Sequence, residues 1–470
     1  MKVLLVAPPE KHMLRPPLPK ELDKESGFKP PLGILYIASY LREHSDHEVS
    51  VLDMPVEGMS AEDITRIINE RQPDIVGITT TTFTLIDVLL VAQIVKKIDA
   101  SIYVCLGGPH VDIYPVETMR LPNVDFAIRG EGEMAFLDLV NALESGQSLR
   151  SVKNLVFKED GKVIINRRRP RITDLDSLPF PARELTPWQK YSSVLSSHRP
   201  ITHLLTQKGC PYNCIFCYRH TGKRLYQRSP KSIVDEMEQC QRLGIKEIMI
   251  VDDTFTVPPR RVLDICSEIL ARGLRIAWDA RARVDNLTEE LVVIMKEAGC
   301  QKLYIGVEAG TNKSLRTLRK NITLEQIRGA FKITRRVGMT TVGYFMIASP
   351  GETKEDVLRT IEFACELEPD YAEFSRTTLF PATEMYTLAL KSGLLTRDCW
   401  REFAENPRPH FIPPLWTEHL SNEEINELLK RAYQRFYFRP KYVLEQARRI
   451  RSLDEFKSKV KAGITLAIGW

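Results

Sequence analysis

Three cysteines within eight residues constrain this chain more than any other feature. They lie in Lys208-Gly209-Cys210-Pro211-Tyr212-Asn213-Cys214-Ile215-Phe216-Cys217-Tyr218, a Cys-x3-Cys-x2-Cys spacing with an aromatic residue before the third cysteine, after the apolar run Ile201 to Leu205. Such a loop can wrap one face of a metal cluster. A structural zinc site normally closes its tetrahedron with four protein ligands, and no fourth cysteine or metal-spaced histidine pair follows nearby. A cubane iron–sulfur cluster held by three thiolates keeps one iron open for a substrate or cofactor. The plainer alternatives are a zinc knuckle lacking a ligand and three unrelated cysteines.

At 470 residues the chain exceeds one ordinary core, so two large domains and a tail are expected. The 43% apolar and 27% charged residues are those of a globular protein, and a net charge of +5 permits an acidic partner without arguing for nucleic acid. Nine cysteines, an odd number, fit a reducing, cytoplasmic compartment better than a disulfide framework. Cys105, Cys240, Cys266, Cys300 and Cys365 sit in apolar patterns and read as small core residues. The run Met1 to Ala7 stops at Pro8-Pro9, which predicts a buried first strand and not a signal peptide, and no run reaches transmembrane length.

From residue 1 to about 145, strand and helix patterns alternate as in a doubly wound parallel sheet. Strands are predicted at Val3 to Ala7, Glu48 to Leu52, Ile75 to Thr79, Ile102 to Leu106 and Phe126 to Arg129. Helices are predicted at Ile34 to Glu43, Ala61 to Glu70, Thr84 to Ile98 and Glu133 to Leu143. Ligands of such sheets bind beyond the carboxyl ends of the strands. The loops there are Pro30-Pro31-Leu32-Gly33, Thr79-Thr80-Thr81-Thr82, Gly107-Gly108-Pro109-His110 and Arg129-Gly130-Glu131-Gly132-Glu133. Paired glycines admit a bulky ligand and threonine hydroxyls can bond a polar tail. No Gly-x-Gly-x-x-Gly follows the first strand and no Walker loop is present, which argues against nicotinamide or nucleoside triphosphate.

Residues 149–198 read as a connector. Asn154 to Phe157 and Lys162 to Ile165 flank Asp160-Gly161 as a β-hairpin. The basic run Arg167-Arg168-Arg169-Pro170-Arg171 reads as a solvated linker in preference to a ligand contact. From 199 to 385 about six strands alternate with helices: Ile201 to Thr206, Glu247 to Val251, Arg275 to Asp279, Lys302 to Val307, Thr341 to Ile347 and Tyr371 to Arg376. A partial (β/α) barrel gathers its functional residues at the carboxyl ends of these strands. The 386–470 segment reads as helical, with the basic and aromatic stretch Arg435 to Arg451 covering the open side of the barrel in preference to touching an anionic surface.

The cysteine loop resembles that of the radical S-adenosylmethionine (SAM) superfamily, and the loops of residues 1–148 together resemble the cobalamin-binding domain that precedes many such barrels. The resemblance implies a [4Fe–4S] cluster on Cys210, Cys214 and Cys217, whose open iron chelates the methionine end of SAM, with Phe216 beside the adenine and Tyr218 also near the cofactor. Where the superfamily carries Gly-Gly-Glu this chain has Asp252-Asp253-Thr254, so the amino group passes to main chain or to Asp253. Arg281 and Arg283 are placed for the methionine carboxylate, Glu308 for the ribose or amino group, and Ser349 for the loop after the fifth strand. Each of these can instead be a structural contact across the barrel mouth. For cobalamin the resemblance implies Pro31, Leu32, Gly33, Thr79, Thr80, Thr81, Gly107, Gly108, Pro109, Arg129, Gly130, Glu131 and Gly132. Many cobalamin domains carry Asp-x-His-x-x-Gly. With Gly33 as that glycine, Phe28 and Pro30 fill the Asp and His places, implying base-off cobalamin without a histidine ligand; His12 and Tyr36 remain alternatives near the cobalt.

The implied activity is methylation of an unactivated sp3 carbon by a cobalamin-dependent radical SAM methyltransferase, through a 5′-deoxyadenosyl radical and methylcobalamin. A ferredoxin or flavodoxin would supply electrons, and a peptide or protein side chain is favoured over a small molecule as substrate. Related enzymes with the same domain pair cyclise, contract or oxidise rings without methyl transfer, and that alternative stays open. A cobalamin domain that has lost its ligand, or a non-catalytic cobalamin or redox sensor, is the more distant one.

Overall fold

The computed structural model describes residues 1–14 and 27–449. The N-terminal sheet has seven strands: β1 (Lys2–Ala7), β2 (Glu48–Asp53), β3 (Ile75–Thr79), β4 (Tyr103–Gly107), β5 (Phe126–Ile128), β6 (Leu155–Glu159) and β7 (Lys162–Ile165). Their spatial order is β2-β1-β3-β4-β5-β6-β7, parallel through β5 and antiparallel from β5 to β7. Strand β1 explains why apolar residues run without a break. Val3, Leu5 and Ala7 enter a core with the helices Leu32–His44 and Glu133–Ser145, whereas Leu4 and Val6 enter the opposite core with Ile64–Arg71 and Leu85–Ile98. Successive side chains of a strand point to opposite faces, so a sheet covered on both sides needs every position apolar.

The hairpin assigned to the connector belongs instead to this sheet, because Phe126, Ala127 and Ile128 pair with Phe157, Val156 and Leu155. Its turn carries Asp160 and Gly161 at φ of 50° and 75°, the left-handed pair that a tight hairpin requires.

The second sheet comprises β8 (Ile201–Leu204), β11 (Glu247–Ile250), β12 (Ala277–Ala282), β13 (Cys300–Glu308), β14 (Thr340–Ile347) and β15 (Tyr371–Arg376), all parallel and in sequence order, with β8 and β15 as its edges. This is the expected six-stranded partial barrel. Strand β12 lies about two residues beyond its predicted start and runs through Ala282, so Arg281 is a strand residue and Arg283 stands just past the carboxyl end. Between β8 and the first barrel helix, Pro230–Arg242, a short antiparallel pair closes the base of the cysteine loop: β9 (Gln207–Lys208) and β10 (Tyr226–Gln227).

The tail divides its role. Helix Asn422–Tyr437 covers β15, with the Tyr433 hydroxyl donating to the Phe374 carbonyl at 3.1 Å. Helices Glu384–Lys391 and Cys399–Glu405 face the N-terminal domain, where Trp400 meets Phe83 edge-on at 5.8 Å and Arg401 pairs with Glu117. One apolar core therefore includes Val88 and Leu106 of the first domain together with Ile215, Leu318, Met385 and Trp400 of the second. Ile450 and Arg451, the end of the basic stretch, lie outside the described residues. Among the described residues no helix is long and apolar enough to cross a membrane.

Candidate active site between the two sheets

The carboxyl ends of the two sheets face each other across a cavity of about 440 Å³. One wall is Leu32, Gly33, Thr79, Gly107, Gly108, Pro109, Gly130, Glu131 and Gly132; the other is Leu205, Gln207, Lys208, His220, Thr221, Val251 and Asp253. A Cβ added to Gly33 or Gly107 would meet no atom within 4 Å, so the backbone itself forms the wall there. Gly108 is at φ 109°, and a Cβ would press on the Thr80 carbonyl. A broad flat ligand can lie against such a surface where side chains would hold it off. On this observation the residues fit a corrin.

Four residues expected here, Pro31, Thr80, Thr81 and Arg129, do not line the cavity. The fully buried Thr80 donates its hydroxyl to the Ile78 carbonyl at 3.1 Å, and Thr81 caps the turn at Thr84. Arg129 bonds the Asn166 carbonyl at 3.3 Å, and neither it nor Pro31 lines the cavity. Glu131 lines it, yet its carboxylate is used: Oε1 accepts from Lys208 Nζ at 2.8 Å and Oε2 from the Ile172 amide at 2.7 Å. Glu133 adds a second carboxylate 3.7 Å from Lys208.

Of the two alternatives near the cobalt, His12 is held by Asp87, which accepts from its amide and lies 2.8 Å from Nδ1, and it does not line the cavity. Tyr36 does line it. Burial, and then Glu236, push its phenol well above the usual range, so it stays neutral.

The basic run, expected in solvent, contributes Arg168, Arg169 and Arg171 to the cavity wall. The hairpin carries them there: Arg168 reaches Asp112 at 3.2 Å, Arg169 pairs with Asp138, and Arg171 reaches the His220 carbonyl at 3.2 Å. Asp112 joins the domains, since one oxygen accepts from the Gly130 amide at 2.8 Å and the other lies 3.1 Å from His220 Nδ1. No sequence signal marked Asp112 or His220, because their pairing depends on the approach of two domains.

The cysteine loop is pinned at several points. Gly209 is at φ 96° and a Cβ would strike the Arg224 carbonyl; Ile215 donates its amide to Leu318 and accepts from the Met385 amide, at 3.2 and 2.9 Å. None of the three thiols is in a disulfide; Cys214 is buried, Cys210 half-buried and Cys217 exposed as a residue while its sulfur is shielded by neighbouring groups. Burial, and then Asp253 and the neighbouring thiols, push Cys217 up to about 11, so cluster ligation there must expel a proton. Among the described residues no three His, Cys, Asp or Glu side chains close around a point as single-ion ligands do. Three unpaired thiols on one loop suit a cluster that keeps one iron open.

The residues expected around SAM separate into two groups. Asp253 is exposed, lines the cavity and accepts from the Thr221 hydroxyl at 3.3 Å. Phe216 is half-buried beneath Lys320, whose Nζ lies 5.9 Å from the ring centroid. Tyr218 is half-buried 6.1 Å from the His220 ring, and burial, then Asp112, raises its phenol to about 12. Glu308 takes φ 70° at the end of β13, an unusual conformation for a side-chain-bearing residue of the kind that concentrates at functional sites. Its Oε1 accepts from Lys320 Nζ at 2.7 Å. Lys320 was not visible in the sequence, since it follows a short helix and no motif includes it.

By contrast, Asp252 is fully buried and accepts from the Thr206 and Gln207 amides at 2.7 and 3.1 Å and from the Thr206 hydroxyl. Ser349 is buried, its amide bonding Glu352 at 2.8 Å. Both are engaged in hydrogen bonds within the barrel.

Below the mouth, strand register directs polar side chains into the barrel. Arg281 is level with Tyr304, and Gly306 is level with Tyr344 and Tyr344 with Glu373. Tyr304 and Tyr344 stack at 6.1 Å, Arg281 makes one 3.3 Å bond to the Val251 carbonyl, and the buried Nε2 of His203 has no partner. Burial, then Lys29 and Arg281, pull His203 down to about 3, so its ring is neutral. Lys302, between Glu247 at 2.9 Å and Asp279 at 3.0 Å, closes the floor.

Two family models match the chain, one described as a B12 binding domain over residues 25–140 and one as the Radical SAM superfamily over residues 204–364. The uncharacterized methyltransferase PH0819 of Pyrococcus horikoshii is 38% identical over 449 residues, 95% of this chain and 94% of its own. The anaerobic magnesium-protoporphyrin IX monomethyl ester cyclase of Rubrivivax gelatinosus is 28% identical, over 77% of this chain and 66% of that one. The cytidylyl-2-hydroxyethylphosphonate methyltransferase of Streptomyces wedmorensis is 27% identical, over 85% of this chain and 84% of that one. Among solved structures, the radical SAM methyltransferase TsrM of Kitasatospora setae, with cobalamin and a [4Fe–4S] cluster bound, superposes with a TM-score of 0.68 at 19% identity, covering 83% of this chain and 78% of that one. That last likeness is one of fold.

Proposed function

The chain belongs to the radical SAM enzymes that carry an N-terminal B12-binding domain, and from that premise we propose that it methylates an unactivated sp3 carbon of a polar substrate, with a peptide or protein side chain favoured. The observation that carries this reading is the single cavity shared by the glycine wall of one sheet and the cysteine-loop side of the other. When bound there, the cluster and cobalamin supply one-electron cleavage of SAM and a carrier for a methyl group. The residues of this chain do the rest. Cys210, Cys214 and Cys217 hold the cluster and leave one iron for SAM. Phe216, Asp253 and Glu308 border its place, with Lys320 fixing the Glu308 carboxylate. Gly33, Gly107 and Gly108 give the corrin a flat support. Pro30 offers no ligating nitrogen and Asp87 holds His12, which supports a base-off mode of binding without a histidine from the absent motif.

A polar substrate is supported by the barrel lumen, where Arg281, Tyr304, Tyr344, Glu373 and His203 present groups that a hydrocarbon would leave unpaired. Electrons would come from a ferredoxin or flavodoxin. The test is anaerobic: the reconstituted chain is given hydroxocobalamin, reductant and SAM, and nucleoside products are followed. S-adenosylhomocysteine together with 5′-deoxyadenosine is expected. If 5′-deoxyadenosine forms alone while cobalamin stays bound, the methyltransferase reading falls and an oxidative reaction or a ring-forming one, the latter as the name of the Rubrivivax relative states for that enzyme, takes its place.

A further inference from the structure

Arg283 stands at the carboxyl end of β12, 6% exposed, against the cysteine loop. Its donors are largely committed. Nε donates to Asp285 Oδ1 at 3.1 Å, and Nη2 donates to Asp285 Oδ2 at 3.1 Å and to the Lys320 carbonyl at 2.7 Å. The remaining nitrogen, Nη1, lies 4.0 Å from the Sγ of Cys214. The plane of the guanidinium covers the Tyr212 ring, 3.5 Å from its centroid, and Asn286 Nδ2 holds the Tyr212 hydroxyl at 2.8 Å. Two residues of the cysteine loop thus rest on one arginine, and a two-point bond to a carboxylate fixes that arginine. Sequence reasoning placed Arg283 at the methionine carboxylate of SAM, but a bidentate bond of that kind needs two free N–H groups on one edge. The edges of Arg283 already serve Asp285, Lys320 and Cys214.

We propose that Arg283 is a positioning residue of the cluster, donating to the Cys214 thiolate and raising the cluster's reduction potential, with Asp285 as its counter-charge. This rests on the cysteine loop holding a [4Fe–4S] cluster. N–H donors and positive charge near cluster sulfurs stabilise the reduced, more negative state, so they move the potential upward. Asp285 offsets part of that charge, which gives the two residues opposite signs.

The experiment uses the full chain, reconstituted without SAM, with iron and sulfide counted before an EPR-monitored redox titration. Arg283→Gln is expected to lower the midpoint potential, Asp285→Asn to raise it, and Arg283→Lys to fall between Gln and the native residue. SAM affinity, read by equilibrium dialysis, is expected to stay within about threefold in Arg283→Gln, against the tenfold or greater loss that follows when a charged ligand contact of about 1.4 kcal/mol or more is removed. Full cluster content with an unmoved potential overturns the inference, as does a tenfold loss of SAM affinity at unchanged potential. If Arg283→Gln cannot hold a cluster, Asp285→Asn decides: an upward shift supports the inference and no shift overturns it. A native chain that takes up no cluster overturns both this inference and the proposed function.

Discussion

The two sheets turn the same edge toward one cavity and equip it in opposite ways. The N-terminal sheet presents backbone: Gly33, Gly107 and Gly108 leave a smooth wall, and its nearby carboxylates Asp112, Glu131 and Glu133 are engaged in ion pairs. The barrel edge presents side chains: Lys208, His220, Thr221 and Asp253 on the cavity wall, with the three thiols and the Glu308–Lys320 pair at the same end of the barrel but outside that lining, and the unpartnered His203 Nε2 in the lumen. A large rigid ligand is held best by shape and close backbone approach, whereas a cluster and a reacting cofactor need specific donors. Parallel sheets supply both, because their carboxyl-end loops are free to vary without disturbing the buried strands.

The largest effects come from removing one side of this division and leaving the other. Cys214→Ala is expected to cut 5′-deoxyadenosine formation by about a thousandfold or more, since it removes a ligand of the open cluster, while hydroxocobalamin binding stays within about twofold. Gly107→Leu is its mirror. Its side chain projects into free space, so the fold survives, but cobalamin binding by dialysis is expected to weaken by about a hundredfold, with iron content unchanged. If either variant loses both cofactors, the two walls are not separable as described.

A smaller effect tests how the walls are joined. Lys208 is 12% exposed and immediately precedes Gly209-Cys210, and its pairing with Glu131 and Glu133 ties the cysteine loop to the glycine wall. Lys208→Met leaves two carboxylates facing an apolar group and is expected to cost about 2 kcal/mol in denaturant unfolding, because removing one partner of a largely buried pair strands the other.

A pH-dependent effect of similar size lies farther from the cavity. Asp53, at the end of β2, is 4% exposed and accepts from the Tyr191 hydroxyl at 2.7 Å, and burial raises its carboxyl from 3.8 to about 6. A raised folded value means the folded state holds the proton longer, so this group's contribution to stability is greatest below about pH 4 and declines as pH rises through about 6. Asp53→Asn, which keeps an acceptor for Tyr191, is expected to be more stable than the native chain at pH 8 by roughly 2–3 kcal/mol. The difference should vanish as pH falls to about 4 in paired thermal melts; an equal gap at both pH values would mean Asp53 does not titrate in that window.

The sequence alone determined the two parallel α/β units and their order, because strand and helix periods alternate in distinct blocks. It also marked the three thiols proposed for the cluster, because they lie within one short loop of the chain. It identified the glycine loops at the strand ends, where close backbone approach demands glycine at Gly108. Only the tertiary structure decided which nearby residues reach the cavity. Thr80 and Asp252 match loop motifs but turn into local hydrogen bonds, and Arg168, Arg169 and Arg171 resemble a solvated run until the hairpin joins the first sheet and carries them to the wall. The pairs Asp112–His220, Glu131–Lys208 and Glu308–Lys320 are separated by 108, 77 and 12 residues in the chain. Spacing along a sequence encodes contacts within one element or loop, and contacts between elements exist only once both have folded and docked.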